Sequence, residues 1–264
     1  MFRLLAFLLS ISRIAAQSFQ TPALLGMGNT MAAHPGVYSA MGNPAGIAGI
    51  HTFSTGSAYQ MHYLQSDLYT YGIYAVLPTF KLGALGLQFH QYNSANLLQQ
   101  TVWQLNYAYP ITRYWSAALG LQRHRVRWEV DTFPSAIRIN IGVQYHRENL
   151  SIGGFVKQFS LANSENVLLP SSDFEMALGV NYLFSEQIYL ATDIFWDGRE
   201  RPDLRTGMEY RLLRNFRLRG GVSSFPLQYY LGLGLLRKKM HIDLAASIHR
   251  ELGPSPQLGI AYVF

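Results

Sequence analysis

The 264-residue sequence has no cysteine. That absence excludes disulfide scaffolds, thiolate metal centres, iron–sulfur clusters and a cysteine nucleophile together. Charge is scarce as well: Asp, Glu, Lys and Arg make up 14% of the chain, against about 25% in an ordinary soluble domain. No apolar run beyond the amino-terminal segment reaches the ~18–20 residues a transmembrane helix needs. The eight His residues show no HExxH or related spacing, and no Gly-x-Ser-x-Gly elbow occurs. With no convincing Ser–His–acid set on any apolar face, neither an enzyme nor a cofactor is expected.

What is present points to β-structure facing two different solvents. Hydrophobic residues are 49% of the chain, with 17 Tyr, 15 Phe and 23 Gly. Residues 1–16 read as a signal peptide: Arg3 is the basic start, residues 4–10 are apolar, and Ala15-Ala16 precede the expected cleavage. A short amphipathic helix is the alternative there. From residue 52 onward the dominant period is two. Ile137, Ile139, Ile141, Val143 and Tyr145 alternate with Arg138, Asn140, Gln144 and His146. Trp103, Leu105, Tyr107 and Tyr109 alternate in the same way with Gln104, Asn106 and Ala108.

About fourteen such segments follow one another, near 52–63, 67–78, 81–92, 98–110, 113–125, 135–147, 149–160, 173–184, 187–197, 203–213, 215–224, 227–237, 239–249 and 256–264. Their length suits strands crossing a bilayer at a tilt, and an even count suits a closed antiparallel barrel. Very short turns (79–80, 112–113, 148, 185–186, 214–215, 238) alternate with longer joints (94–97, 126–134, 161–172, 197–202, 250–255). A soluble β-sandwich alternates too, but its solvent face carries Lys and Glu. Here the polar face is Gln, Asn, Gly and Arg, and the apolar face is rich in aromatics near strand ends, as in the girdles of membrane barrels. The reading is an all-β transmembrane antiparallel barrel over 52–264 with a short plug over 17–51, in a bacterial outer membrane.

The plug segment breaks the period with Gly26, Gly28 and Asn29, then with Asn43-Pro44-Ala45-Gly46-Ile47-Ala48. Read whole, it resembles the amino-terminal signature of the FadL-like outer-membrane proteins, most closely the PorV/PorQ branch found in Bacteroidetes. The terminal Tyr262 and Phe264 resemble the carboxy-terminal insertion signal of outer-membrane barrels. The resemblance implies a non-catalytic accessory subunit of an outer-membrane secretion or assembly machine, related to type IX secretion. Its alternative is a FadL-type passive transporter of small hydrophobic molecules, with an opening in the wall near Gly83 and Gly86.

Inside the barrel, Arg138, Glu175, Asp193, Arg205, Glu209, Arg211, Arg217, Arg219 and Asp243 are expected to form a charge network. Such a network either fills the interior and binds the plug or selects anions. Arg123, Arg125, Arg127, Arg199 and Arg201 are expected at the outer rim, with Arg250, against lipopolysaccharide phosphates. The turn at Arg237-Lys238-Lys239 reads as solvated. Expected partners are outer-membrane lipids including lipopolysaccharide and a larger outer-membrane protein complex. An exported barrel has no call to bind nucleic acid despite a pI near 9.5.

Overall fold

The computed structural model describes residues 19–79, 83–95, 97–129, 131–132, 135–160, 174–198 and 201–264. The signal segment lies outside them. The chain begins with helix α1 (Pro22–Gly26), followed by 3-10 turns at Val37–Ala40 and Pro44–Ile47. Strands follow: β1 (Ser54–Met61), β2 (Leu68–Pro78), β3 (Ala84–Ser94), β4 (Leu98–Pro110) and β5 (Trp115–Trp128). A two-residue β6 (Asp131–Thr132) only extends β5 into its loop. Then come β7 (Ala136–Arg147), β8 (Leu150–Ser160), β9 (Glu175–Leu183), β10 (Ile188–Trp196) and β11 (Asp203–Leu213). The last are β12 (Phe216–Ser224), β13 (Leu227–Arg237), β14 (Met240–His249) and β15 (Gly253–Val263).

Each long strand pairs antiparallel with its sequence neighbours, β4 joins β5, and β1 joins β15. The fourteen long strands therefore form a closed ring with no free edge. Closure is what a membrane demands, because an unpaired backbone N–H or C=O facing lipid costs several kcal/mol. The last bond of the seam runs from the Phe264 N–H to the Phe53 carbonyl, 2.9 Å, with the two rings 5.0 Å apart.

Alternation decides what faces outward. Ile137 is 65% exposed while its neighbour Arg138 is 8% exposed. Leu227, Tyr229, Leu231, Leu233 and Leu235 of β13 stand outside, and Gln228 and Tyr230 inside. The molecule is thus inverted relative to a soluble protein, with an apolar outer belt and polar inner wall. Short turns such as 148–149, 214–215 and 238–239 cluster at the rim where β1 begins and β15 ends. By the usual asymmetry this rim is periplasmic. The opposite rim holds the longer joints, although β12 and β13 are connected there by residues 225–226 alone.

Several boundaries differ from the sequence reading, most at three strands. β3 sits two to three residues later than expected, β5 runs on to Trp128, and β15 starts at Gly253. Pro254 and Pro256 read as a loop because they lack an N–H. In the fold they stand opposite Ile248 and Ala246 in the β14–β15 ladder. The expected wall opening near Gly83 and Gly86 is also corrected. β3 pairs without a register break on both sides from Ala84 to Ser94, and Gly83 lies in the turn before it. A side chain at Gly86 would meet Ile47 of the plug.

Candidate functional site

Residues 19–48 of the plug are mostly buried within the barrel. Room for them comes from the wall. A Cβ at Gly207 would overlap the Met27 carbonyl, one at Gly221 would strike Gly28, and one at Gly232 would meet Gly26. These inward glycines let two backbones touch where any side chain would hold them apart. In the plug motif, Gly28 and Asn29 have φ of +74° and +57°, and Gly28 lies against the Thr206 carbonyl.

Asn43 is fully buried and makes the densest polar contact of the plug. Its Oδ1 accepts from the Ala45 N–H at 3.1 Å. Its Nδ2 faces the carbonyls of Ala32 (2.7 Å), Val143 (3.0 Å) and Gly154 (3.3 Å). Pro44 opens the following 3-10 turn, and the Ala45 carbonyl accepts from Ser116 Oγ at 3.0 Å. The motif is therefore a fastening between plug and wall.

The inward charges occupy one side of the ring, β7 to β14. Asp193 accepts the N–H groups of Met31 (2.5 Å) and Ala32 (2.8 Å), which ties the plug backbone to β10. Arg205 pairs with Asp203 at 2.7 Å, lies 3.6 Å over the Phe195 ring and donates to the Asn29 carbonyl. Arg219 bridges Glu209 (2.9 Å) and Asp243 (2.6 Å), with Arg211 and Arg217 at 3.5 and 3.7 Å from Glu209. Asp243 in turn accepts the Tyr38 hydroxyl at 2.7 Å. Burial first, then the Asp243 charge, raises the Tyr38 phenol well above its ordinary value, so it stays a donor.

Lys157 donates to the Met41 carbonyl at 3.2 Å and stands opposite Glu175 in the β8–β9 ladder. Arg138 donates to Gln158 at 2.5 Å. The nine charges expected to act together thus divide into separate clusters, several of them gripping the plug. Burying such charges is costly, and each cluster is tolerable only while its partners remain.

The other side of the ring, β1 to β5 with β15, presents no Asp, Glu, Lys or Arg inward among the described residues. Near the periplasmic rim Ala84, Ala108, Ala118 and Ala261 pack on Met41, Ala45 and Ile47 of the plug. Higher up, Gln88, Gln104 and Gln122 form one row across β3, β4 and β5. Gln88 Oε1, Gln104 Nε2 and both amide atoms of Asn106 have no protein partner among the described residues.

Of the arginines expected at the rim, Arg123, Arg125 and Arg127 point outward from the upper part of β5. Arg201 is exposed between β10 and β11, separated from β5 by other strands, and Arg250 is exposed between β14 and β15. Arg199 lies outside the described residues. Tyr262 faces outward, 4.7 Å from the Phe264 ring. Asp203, Tyr38 and the wall glycines were missed from sequence. Asp203 shares the parity of Arg205, a signal that could have found it. The glycines were visible as part of the polar face, but not as contacts to a segment some 180 residues away in the chain.

The fold and its contents define a plugged, fourteen-stranded membrane β-barrel of the bacterial outer-membrane type. Among solved structures, it is similar to a Pseudomonas aeruginosa FadL homologue, with 11% identity and a TM-score of 0.63 over 92% of this chain and 97% of that one. It is also similar to the Pseudomonas putida toluene transporter TodX, with 12% identity and a TM-score of 0.59 over 94% and 98% of the two chains. A TodX mutant described as a monoaromatic hydrocarbon channel gives 10% identity and a TM-score of 0.63 over 92% and 98%. No protein-family model matches the sequence, and no curated protein sequence matches it either.

Proposed function

We propose that the protein is a passive outer-membrane channel for small, uncharged, hydrophobic molecules, of the kind the TodX likeness brings to mind. The observation that carries this reading is the divided lumen. Charges hold the plug on β7–β14, whereas β1–β5 offer an uncharged inner surface against which the plug makes apolar contacts. Apart from the Ser116–Ala45 bond, these contacts separate without leaving a buried charge unpaired, so the plug leans away from β2–β5 while Asp193, Arg205, Lys157 and the Tyr38–Asp243 bond keep their hold. A solute without charge then crosses along the neutral strip.

The test is flux into proteoliposomes, toluene against benzoate at equal concentration. Protein-dependent uptake of toluene well above that of benzoate supports the channel; equal rates for both, or no rate above protein-free vesicles, reject it. The second reading is the accessory secretion subunit implied by the amino-terminal Asn43-Pro44-Ala45 motif, which rests on that motif. Stoichiometric protein partners in native mass spectrometry of the extracted complex would favour it. Tyr262 and Phe264, at the seam that closes the ring, keep their proposed role as the insertion signal.

A further inference from the structure

Above the apolar belt, the outer wall over β3–β5 changes character. Phe89 and Trp103 pack at 4.4 Å, with Tyr71 6.0 Å from Phe89, forming an aromatic level on the outer face. Toward the long-loop rim the outward residues become polar. Gln91 and Gln99 both donate to Asn93 Oδ1, at 3.1 and 3.2 Å. On β5, Arg123, Arg125 and Arg127 succeed one another on the same face, about 7 Å apart by strand geometry. They stand beside Trp103, Thr101 and Gln99 respectively.

Two hollows meet at this level. A cavity of about 210 Å³ is lined by Gln99, Thr101, Trp103, Arg123, Arg125 and Arg127. A groove of about 540 Å³ shares Trp103 and Arg123 with it and continues over Ile73, Leu87, Leu105, Leu121 and Ile137. Among the described residues neither Arg123 nor Arg125 has a carboxylate at ion-pair distance, and Arg127 Nε donates to the Glu129 carbonyl.

The geometry points to a binding site for a single outer-leaflet lipid of the lipid A class, with phosphates on Arg123, Arg125 and Arg127 and acyl chains in the groove below. Charge complementarity and the order of the chemistry along the wall both fit such a lipid. Guanidinium groups pair bidentately with phosphate. Arg123 stands at the aromatic level with Arg125 and Arg127 above it, and the apolar groove runs from that level to the row of Leu87, Leu105 and Leu121 below. A free phosphate would use only the upper cavity, and an acidic polypeptide would leave the groove unfilled. The inference does not rest on the channel reading.

The test uses the full-length protein extracted in mild detergent. Native mass spectrometry reads retained lipid, and titrations use bisphosphorylated lipid A, dephosphorylated lipid A and inorganic phosphate as probes. The expected result is one retained bisphosphorylated lipid A, with affinity falling at least tenfold in R123Q/R125Q/R127Q and for the dephosphorylated lipid. Inorganic phosphate should bind far more weakly, and R237Q/K238Q/K239Q at the opposite rim should behave as wild type. Heat-modifiable gel migration checks that the triple variant is folded; should it fail, R125Q alone is read, with an expected loss of several-fold. Unchanged affinity in the folded variant, equal affinity for the dephosphorylated lipid, or phosphate binding as tightly as the lipid overturns the site. So does an acidic protein that is lost from the variant while lipid A remains.

Discussion

The two sides of the lumen hold the same plug by different physics. On β7–β14, Asp193, Arg205, Lys157 and the Arg219 bridge grip it with buried charge. On β1–β5, alanines and Tyr74 meet Met41, Ala45 and Ile47 with no charge between them. A charged grip is brittle: it is strong while complete and heavily destabilising when one member is lost. An apolar contact yields gradually, at about 25 cal/mol per Å² uncovered. The lesson is that a plug can be tied on one side and free to lean on the other, without a hinge motif in the sequence.

Removing a single charge should break the comparison most sharply. R219M leaves the buried Asp243 without its guanidinium and Glu209 with only the longer contacts to Arg211 and Arg217, and should cost about 3–5 kcal/mol in urea unfolding from micelles. Combining it with E209Q and D243N should recover most of that loss. Acidification comes next. Burial pushes the His34 imidazole down to about 4 from an ordinary 6.5, while its Nε2 lies 3.0 Å from Thr30 Oγ1. A His with a lowered folded pKa is fully stabilising above about 6.5, and that contribution is lost as pH falls from there toward 4. The His34 share of the loss should be at most about 3 kcal/mol, read as protease access to the plug, and H34Q should reduce the dependence by that share.

N43A removes the contacts to Ala32, Val143, Gly154 and Ala45 and should cost about 1–3 kcal/mol, with faster proteolysis of the plug. Q104M on the neutral side should be the mildest change. It replaces an amide nitrogen without a protein partner by a polarizable apolar chain of similar length, and should stay within about 1 kcal/mol of wild type. An equal cost for R219M and Q104M would erase the distinction between the two sides.

Most of the barrel was legible because lipid and lumen impose opposite demands on alternate residues. Ile137 to Tyr145 announced β7 almost to the residue, and the Trp103 to Tyr109 alternation did the same for β4. Where prolines interrupted the ladder, as at Pro254 and Pro256, the strand was read short. The plug motif was legible as a break in period, yet its purpose was not. Asn43 acquires meaning only when Val143 and Gly154 are brought beside it by ring closure. The charges were legible as inward-facing residues, but their grouping depends on register: Glu209 meets Arg219 because β11 and β12 pair them directly. The division into neutral and charged sides follows from the order of strands around the ring, which no local pattern contains.

The absence of cysteine permits a direct test of the claim that solute passes along the neutral side. One engineered pair, I47C/G86C, ties the plug to β3, where a Cβ at Gly86 already meets Ile47. The other, L25C/A245C, ties it to β14, where Leu25 and Ala245 share a buried cluster. Toluene flux into proteoliposomes is then compared before and after reduction. The account predicts that the I47C/G86C disulfide stops flux and reduction restores it, while the L25C/A245C disulfide leaves flux unchanged. Flux that survives the first cross-link and stops with the second would contradict it.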